Sequence, residues 1–126
     1  MDLNEIKIAD KSEEGEVLIV LHPVTYTETD IKIRLAGSDS ARYRNKIKKI
    51  AEKDKGKRKN NFNLDAAERQ GAEILAACTL DWKGIQRDGV DIPFTYENAV
   101  ELYSDPNLRW LREQVDEFIA DRTNFF

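Results

Sequence analysis

His22 and Cys78 are the only imidazole and the only thiol in the chain, and they limit what nucleophilic chemistry it could do. A Cys–His pair works only when the two side chains lie within hydrogen-bond reach. His22 ends an apolar run beside Pro23, and Cys78 follows a run of alanines in a helical stretch, so nothing local brings them together. Buried cysteine behaves as a small apolar side chain, which makes an edge histidine and a packed cysteine the simpler reading. Asp81, Asp88 and Asp91 suggest a calcium loop. Counting from Asp81, however, puts Lys83 third and Ile92 twelfth, where oxygen ligands are required. Gly84 and Gly89 precede no lysine in a phosphate-loop pattern. The expectation is a non-enzymatic protein with no catalytic residue, no metal and no cofactor.

Binding chemistry is better represented. Between Arg42 and Lys59 stand ten basic and two acidic residues, a segment of +8 in a chain of net charge −4, so the remainder carries −12. Within it Arg42, Lys46, Lys49 and Lys53 form a cationic ridge beside a narrow apolar stripe of Tyr43, Ile47 and Ile50. Such a segment suits an anionic partner or the acidic surface of a second copy. Nucleic acid is the less favoured partner, because phosphate binding needs only clustered charge and Tyr43 belongs to the stripe, leaving no stacking platform. Trp82, Phe94, Tyr96 and Trp110 either line a groove for a partner helix or pack into the core, and aromatic side chains dominate core burial. Together with the four basic residues they are the candidate partner-binding set.

The elements that would carry these residues follow from periodicity and turn chemistry. A chain of 126 residues, 35% charged and 40% apolar, has room for one domain with a core. One cysteine excludes an internal disulfide, no apolar run reaches the length of a membrane span, and the acidic N-terminus lacks a signal-like apolar region, so a cytoplasmic protein is expected. Ile6 and Ile8 alternate with charged residues as a short edge strand would. Glu16–His22 is continuous and β-branched, and Ile31–Leu35 alternates strictly, so the two predict an antiparallel hairpin across PVTYTETD. Gly37-Ser38-Asp39-Ser40 ends the strand and caps the basic helix, which gives way at KGKRKNNFN to a polar linker expected to be mobile.

Asp65 and Glu68 read as a capping box for a helix whose face holds Ala67, Gly71, Ile74, Leu75 and Cys78. Trp82 is expected to close that helix, Asp88-Gly89 to turn the chain, and Thr95 to cap a helix reaching about Tyr103. Asp105-Pro106 starts the last helix, striped by Leu108, Leu111, Val115, Phe118 and Ile119, with Trp110 just off the stripe. The fold class expected is α+β in a single domain: mostly β over 1–37, the basic helix and linker over 38–59, and a cluster of three helices over 64–126. Weak, salt-sensitive homo-oligomers are expected from the unlike charges and the Leu108–Ile119 stripe.

Two blocks taken together carry a resemblance. They are LHPVT followed by IKIRLAGSDSARYRNK, and AACTLDWKGIQRDGVDIPFTYENAVELYSDPNLRWLREQVDEFIADRTNF. The order Trp82–Gly84, Asp88-Gly89, Pro93-Phe94-Thr95, Glu97-Asn98, closing on Asp121 to Phe125, is the most specific part. The chain resembles the small tail assembly chaperones, or related tail accessory proteins, of long-tailed bacteriophages and prophages. The resemblance implies a non-enzymatic α+β protein of the bacterial host cytoplasm that binds helical segments of the aggregation-prone tape measure protein, or another tail component, before the tail tube forms. It supplies no catalytic motif. Where such proteins tend to carry Gly after the Thr of the hairpin, this chain has Tyr26 and Thr27. The alternatives are a minor virion structural or adaptor protein, or a nucleic-acid-associated protein using the Arg42–Lys59 segment.

Overall fold

The strictly alternating stretch around Ile33 becomes the middle strand of a three-stranded antiparallel sheet. The computed structural model describes residues 1–54 and 63–126, so the linker expected over KGKRKNNFN lies, apart from Asn63, outside the described residues. Strands β1 (Glu16–Leu21), β2 (Glu28–Leu35) and β3 (Thr79–Lys83) run in the order β1-β2-β3. Ile33 stands opposite Leu18 on one side and Trp82 on the other. Period-two alternation sends Ile33 and Leu35 into the core, both fully buried, and Lys32 and Arg34 to the other face. The β1–β2 turn has no glycine, and Tyr26 takes the left-handed conformation at φ +58°. His22 holds that turn together: its C=O accepts from the Tyr26 N–H, and its Nδ1 accepts from the N–H groups of Val24 and Thr25 at 3.1 and 3.3 Å.

The N-terminal residues depart from expectation. In place of an edge strand, a 3-10 turn (Leu3–Glu5) leads to helix α1 (Ile8–Glu14), so 1–37 is not all β. Leu3 and Ile6 are exposed, which leaves a strand there no apolar face to bury. What fixes α1 is non-local. The Gly37 N–H donates to the Ser12 carbonyl at 3.0 Å, and a Cβ on Gly37 would collide with Ser12 and the Phe125 ring. Only glycine permits that approach.

Ser40 caps helix α2 (Ala41–Asp54), its Oγ accepting from the Tyr43 N–H. Helix α3 (Leu64–Cys78) is capped by Asn63, which accepts from Asp65 and Ala66, and not by Asp65 itself. Its buried face is Ala72, Leu75, Ala76 and Cys78; Ala67 is exposed, and Gly71 lies against the Arg112 guanidinium. The helix does not run on to Trp82. Thr79 stops it: the Thr79 Oγ1 donates to the Leu75 carbonyl at 2.8 Å and lies 2.8 Å from the Tyr103 hydroxyl, while the Ala36 N–H donates to the Cys78 carbonyl. The chain then enters β3, so Trp82 sits in a strand and the region 64–126 is not wholly helical. Next come the short strands β4 (Gln86–Arg87) and β5 (Val90–Asp91), joined by Asp88 and Gly89, both at positive φ. That geometry is the one an Asp-Gly hairpin turn favours.

Helix α4 (Tyr96–Ser104) begins at Thr95, whose Oγ1 accepts from the Asn98 N–H at 3.0 Å. Asp105 and Pro106 open a 3-10 turn (Pro106–Leu108) that leads into helix α5 (Arg109–Ala120), and a final 3-10 turn spans Arg122–Phe125. Leu111, Val115 and Ile119 of the expected α5 stripe are buried; Leu108 and Phe118 are half-buried. The architecture is α+β, a small antiparallel sheet with α3, α4 and α5 clustered on its core face.

Trp82 joins the two layers. It is 7% exposed, its indole N–H donates to the Ile92 carbonyl at 2.8 Å, and its ring meets Phe94 edge-on at 5.2 Å. Trp82→Ala is expected to cost about 3–5 kcal/mol. Trp82→Phe, which keeps a ring but leaves the Ile92 carbonyl without its donor, costs about 1–3 kcal/mol. Urea unfolding curves check both values, and an unchanged midpoint for the alanine variant would contradict the burial seen here.

A second tie closes the far end of the molecule, where the Arg122 guanidinium binds Asp39 through two hydrogen bonds of 2.7 and 3.0 Å. The hydrogen bond from Arg122 holds the Asp39 carboxyl below the usual carboxylate range. Asp121 is lowered in the same direction by the hydroxyl and N–H of Thr123. The folded state therefore binds these protons less tightly than the unfolded chain. The stabilisation is fully present above the ordinary carboxylate pKa of about 4 and is lost as pH falls through the lowered folded value. Melting temperatures measured between neutral pH and about pH 3 are expected to fall less steeply for Asp39→Asn than for the wild type.

Candidate partner-binding face

Arg42, Lys46, Lys49 and Lys53 recur at helical spacing along α2 and form one stripe, as the sequence predicts. The structure gives them unequal roles. Arg42 is tied to α1: its guanidinium pairs with Glu13 at 3.4 Å, and Glu13 also accepts the Arg42 N–H at 3.3 Å. A carboxylate set against the N-terminus of a helix is favourably placed for the dipole. Lys46, Lys49 and Lys53, with Ile50, Glu52 and Glu73 of α3, line an open groove of about 470 Å³. At its edge the Lys46 ammonium lies 5.1 Å from the centre of the Tyr96 ring, within cation–π range. Tyr96 is the first residue of α4 and is itself 38% exposed.

Ile47, expected in the apolar stripe, is 40% exposed, while Tyr43 and Ile50 are half-buried. The groove and its edge therefore present apolar surface (Ile50, the Tyr96 ring) beside three ammonium groups and two carboxylates. That composition suits a polypeptide with apolar and acidic side chains better than a phosphate backbone, which asks for uninterrupted positive charge. Lys55, Lys57, Arg58 and Lys59 of the basic segment lie outside the described residues.

Trp82, Phe94 and Trp110 do not line the groove. Trp82 is in the core, and half-buried Phe94 packs edge-on against it. By holding Ile92 and Phe94, Trp82 fixes the approach to Thr95, and hence the place where Tyr96 emerges beside Lys46. Trp110 is half-buried against the core on α5. Glu13 and Glu73 were not among the sequence candidates. Glu13 carries no local signal, since it acts through helix α1, which the strand reading of Ile6 and Ile8 missed.

No nucleophile pair is assembled. The C=O of Cys78 bonds next to Leu35 at one end of β2, whereas His22 lies beyond Glu28 at the other end. Strand geometry puts roughly 20 Å between those ends. Burial pushes the Cys78 thiol up to about 12, and the His22 Nδ1 is already an acceptor within its turn. In the suspected calcium loop, the Asp81 carboxylate accepts from the Trp82 N–H and Asp91 accepts from Gln86. Among the described residues no group of three or more His, Cys, Asp or Glu side chains is placed to hold a metal ion. Among them, too, no helix is long and apolar enough to cross a membrane.

The family model of the YdaY prophage protein matches residues 38–125. That span starts just ahead of α2 and takes in the groove, β3, the Trp82 junction and all of α3 to α5; α1 and the β1–β2 hairpin fall outside it. No curated protein and no solved structure matches the chain. With well over half of its length inside the match, the chain belongs to the YdaY prophage protein family, a family of phage-derived proteins.

Proposed function

We propose that this prophage protein is a non-enzymatic tail assembly chaperone, and that the Lys46–Lys49–Lys53 groove receives a helical segment of the tape measure protein. The observation that carries the reading is the composition of that groove and its edge: Ile50 among Lys46, Lys49 and Lys53, with the part-exposed Tyr96 ring beside Lys46. An amphipathic helix laid alongside α2 would bury its apolar stripe there and set its acidic residues against the ammonium groups. The resemblance of the two sequence blocks to tail assembly chaperones supports the choice of client. A virion adaptor would use the same contacts but stay in the finished tail, so presence in purified particles separates the two.

Copurification with the tape measure protein of the same prophage tests the proposal. The double variant Lys46→Glu and Lys49→Glu is expected to weaken the complex at least tenfold, about 1.4 kcal/mol, while its melting temperature stays within a few degrees of wild type. Tyr96→Ala is expected to act in the same direction more weakly. Undiminished capture by the double variant would overturn the assignment of the groove. Sub-micromolar duplex DNA binding that weakens with salt at a logarithmic slope of about −0.9 per phosphate would move the face to nucleic acid.

A further inference from the structure

A second surface, along β1 and α5, has its own chemistry. Strand β1 is an edge of the sheet, with β2 on one side and, among the described residues, no strand on the other. Backbone groups alternate sides along an antiparallel strand. The His22 N–H donates inward to Thr27 and the Val20 carbonyl accepts inward from the Thr29 hydroxyl, so Leu21, Ile19 and Val17 turn their N–H and C=O outward. At Leu21 both outward groups are held by one side chain: Gln114 of α5 accepts from the N–H at 2.8 Å and donates to the carbonyl at 2.9 Å. A primary amide used this way does what the backbone of a further strand would do. At Ile19 and Val17 no described residue fills that role, and the two are 38% and 43% exposed. Edge strands are commonly blunted by charge or proline, and after Glu16 this one carries neither.

Beside the edge runs a groove of about 340 Å³ lined by Ile19, Leu21, Gln114 and Phe118, with Glu117 and Asp121 as its charged residues. We propose that β1 accepts an extended segment of a protein partner as a fourth strand, and that this segment alternates apolar residues with lysine or arginine. The apolar set would cover Val17 and Ile19, and the cations, on the α5 side, would face Glu117 and Asp121. Charge disfavours a second copy as the occupant. In an antiparallel pair of β1 strands the twofold axis sets both α5 helices on one face, acidic rim against acidic rim.

The probe is an acetylated hexapeptide of alternating lysine and valine, titrated into isotope-labelled protein with amide exchange followed by NMR. Saturable shifts below about 1 mM and at least tenfold slower exchange at the Val17 and Ile19 amides are expected. A glutamate–valine hexapeptide is expected to give neither. Val17→Pro removes an outward N–H without touching the β2 ladder and should abolish the effect; Glu117→Lys should weaken it at least fivefold. Should the proline variant fail to fold, Glu117→Lys, on an exposed position of α5, decides alone. Absence of saturable shifts, binding that leaves those two amides unchanged, or binding indifferent to Glu117→Lys would overturn the proposal. So would concentration-dependent protection without peptide, which would make a second copy the occupant.

Discussion

Trp82 lies on an edge strand, where side chains usually meet water on one flank, yet almost none of its surface is exposed. Its outward N–H is closed by the neighbouring Asp81 carboxylate at 2.9 Å, its indole N–H is closed by the Ile92 carbonyl, and Phe94 covers the ring edge-on. A buried indole with its donor satisfied gains from both area and hydrogen bonding. Three things then follow. Opposite Ile33, Trp82 fixes the β2–β3 register. Through Ile92 and Phe94 it sets the path to Thr95 and the direction of α4. Through α4 it places Tyr103, whose hydroxyl meets Thr79 at the point where α3 ends. Strand, connection and helix close a ring of mutual constraint, and Tyr96 takes its place beside Lys46 because of it.

Elements defined by neighbours in sequence were legible without the structure. The β1–β2 hairpin, the capped basic helix, the Asp-Gly turn, the Thr95 cap and the α5 stripe all stand where spacing and turn chemistry put them. What escaped depended on distant partners. TLDWK reads as the tail of an alanine-rich helix because nothing nearby says that Thr79 will bond to Tyr103 or that Ala36 will claim the Cys78 carbonyl. Ile6 and Ile8 show a strand's alternation, but the chain there forms a 3-10 turn and helix α1 instead. Asn63 displaced Asp65 as the cap of α3, a two-residue shift among residues of equal capping strength.

The same division runs through the candidate sites. The lysine stripe on α2 was readable because a helical repeat projects charge in register, whereas the partners that differentiate its members were not. Glu13 withdraws Arg42 from the free face, and Tyr96 arrives from more than forty residues away. The net charge of −4 conceals two surfaces of opposite sign, a cationic one on α2 and an acid-rimmed one along α5 and β1. The two belong to different elements, the lysines to α2 and the acids to α5.

The lone thiol at the meeting point of α3, β2 and β3 has a consequence for how the molecule behaves in crowds. A cysteine on the surface of a concentrated protein drifts into covalent links with its neighbours once reducing power fails, because a fraction of it is always thiolate. Cys78 has no surface in the folded chain, and with its proton held up to about pH 12 it carries essentially no thiolate at neutral pH. Copies packed side by side therefore stay chemically separate through oxidising conditions for as long as the junction holds. The first disulfide-linked pair would mark a molecule that had opened at its centre.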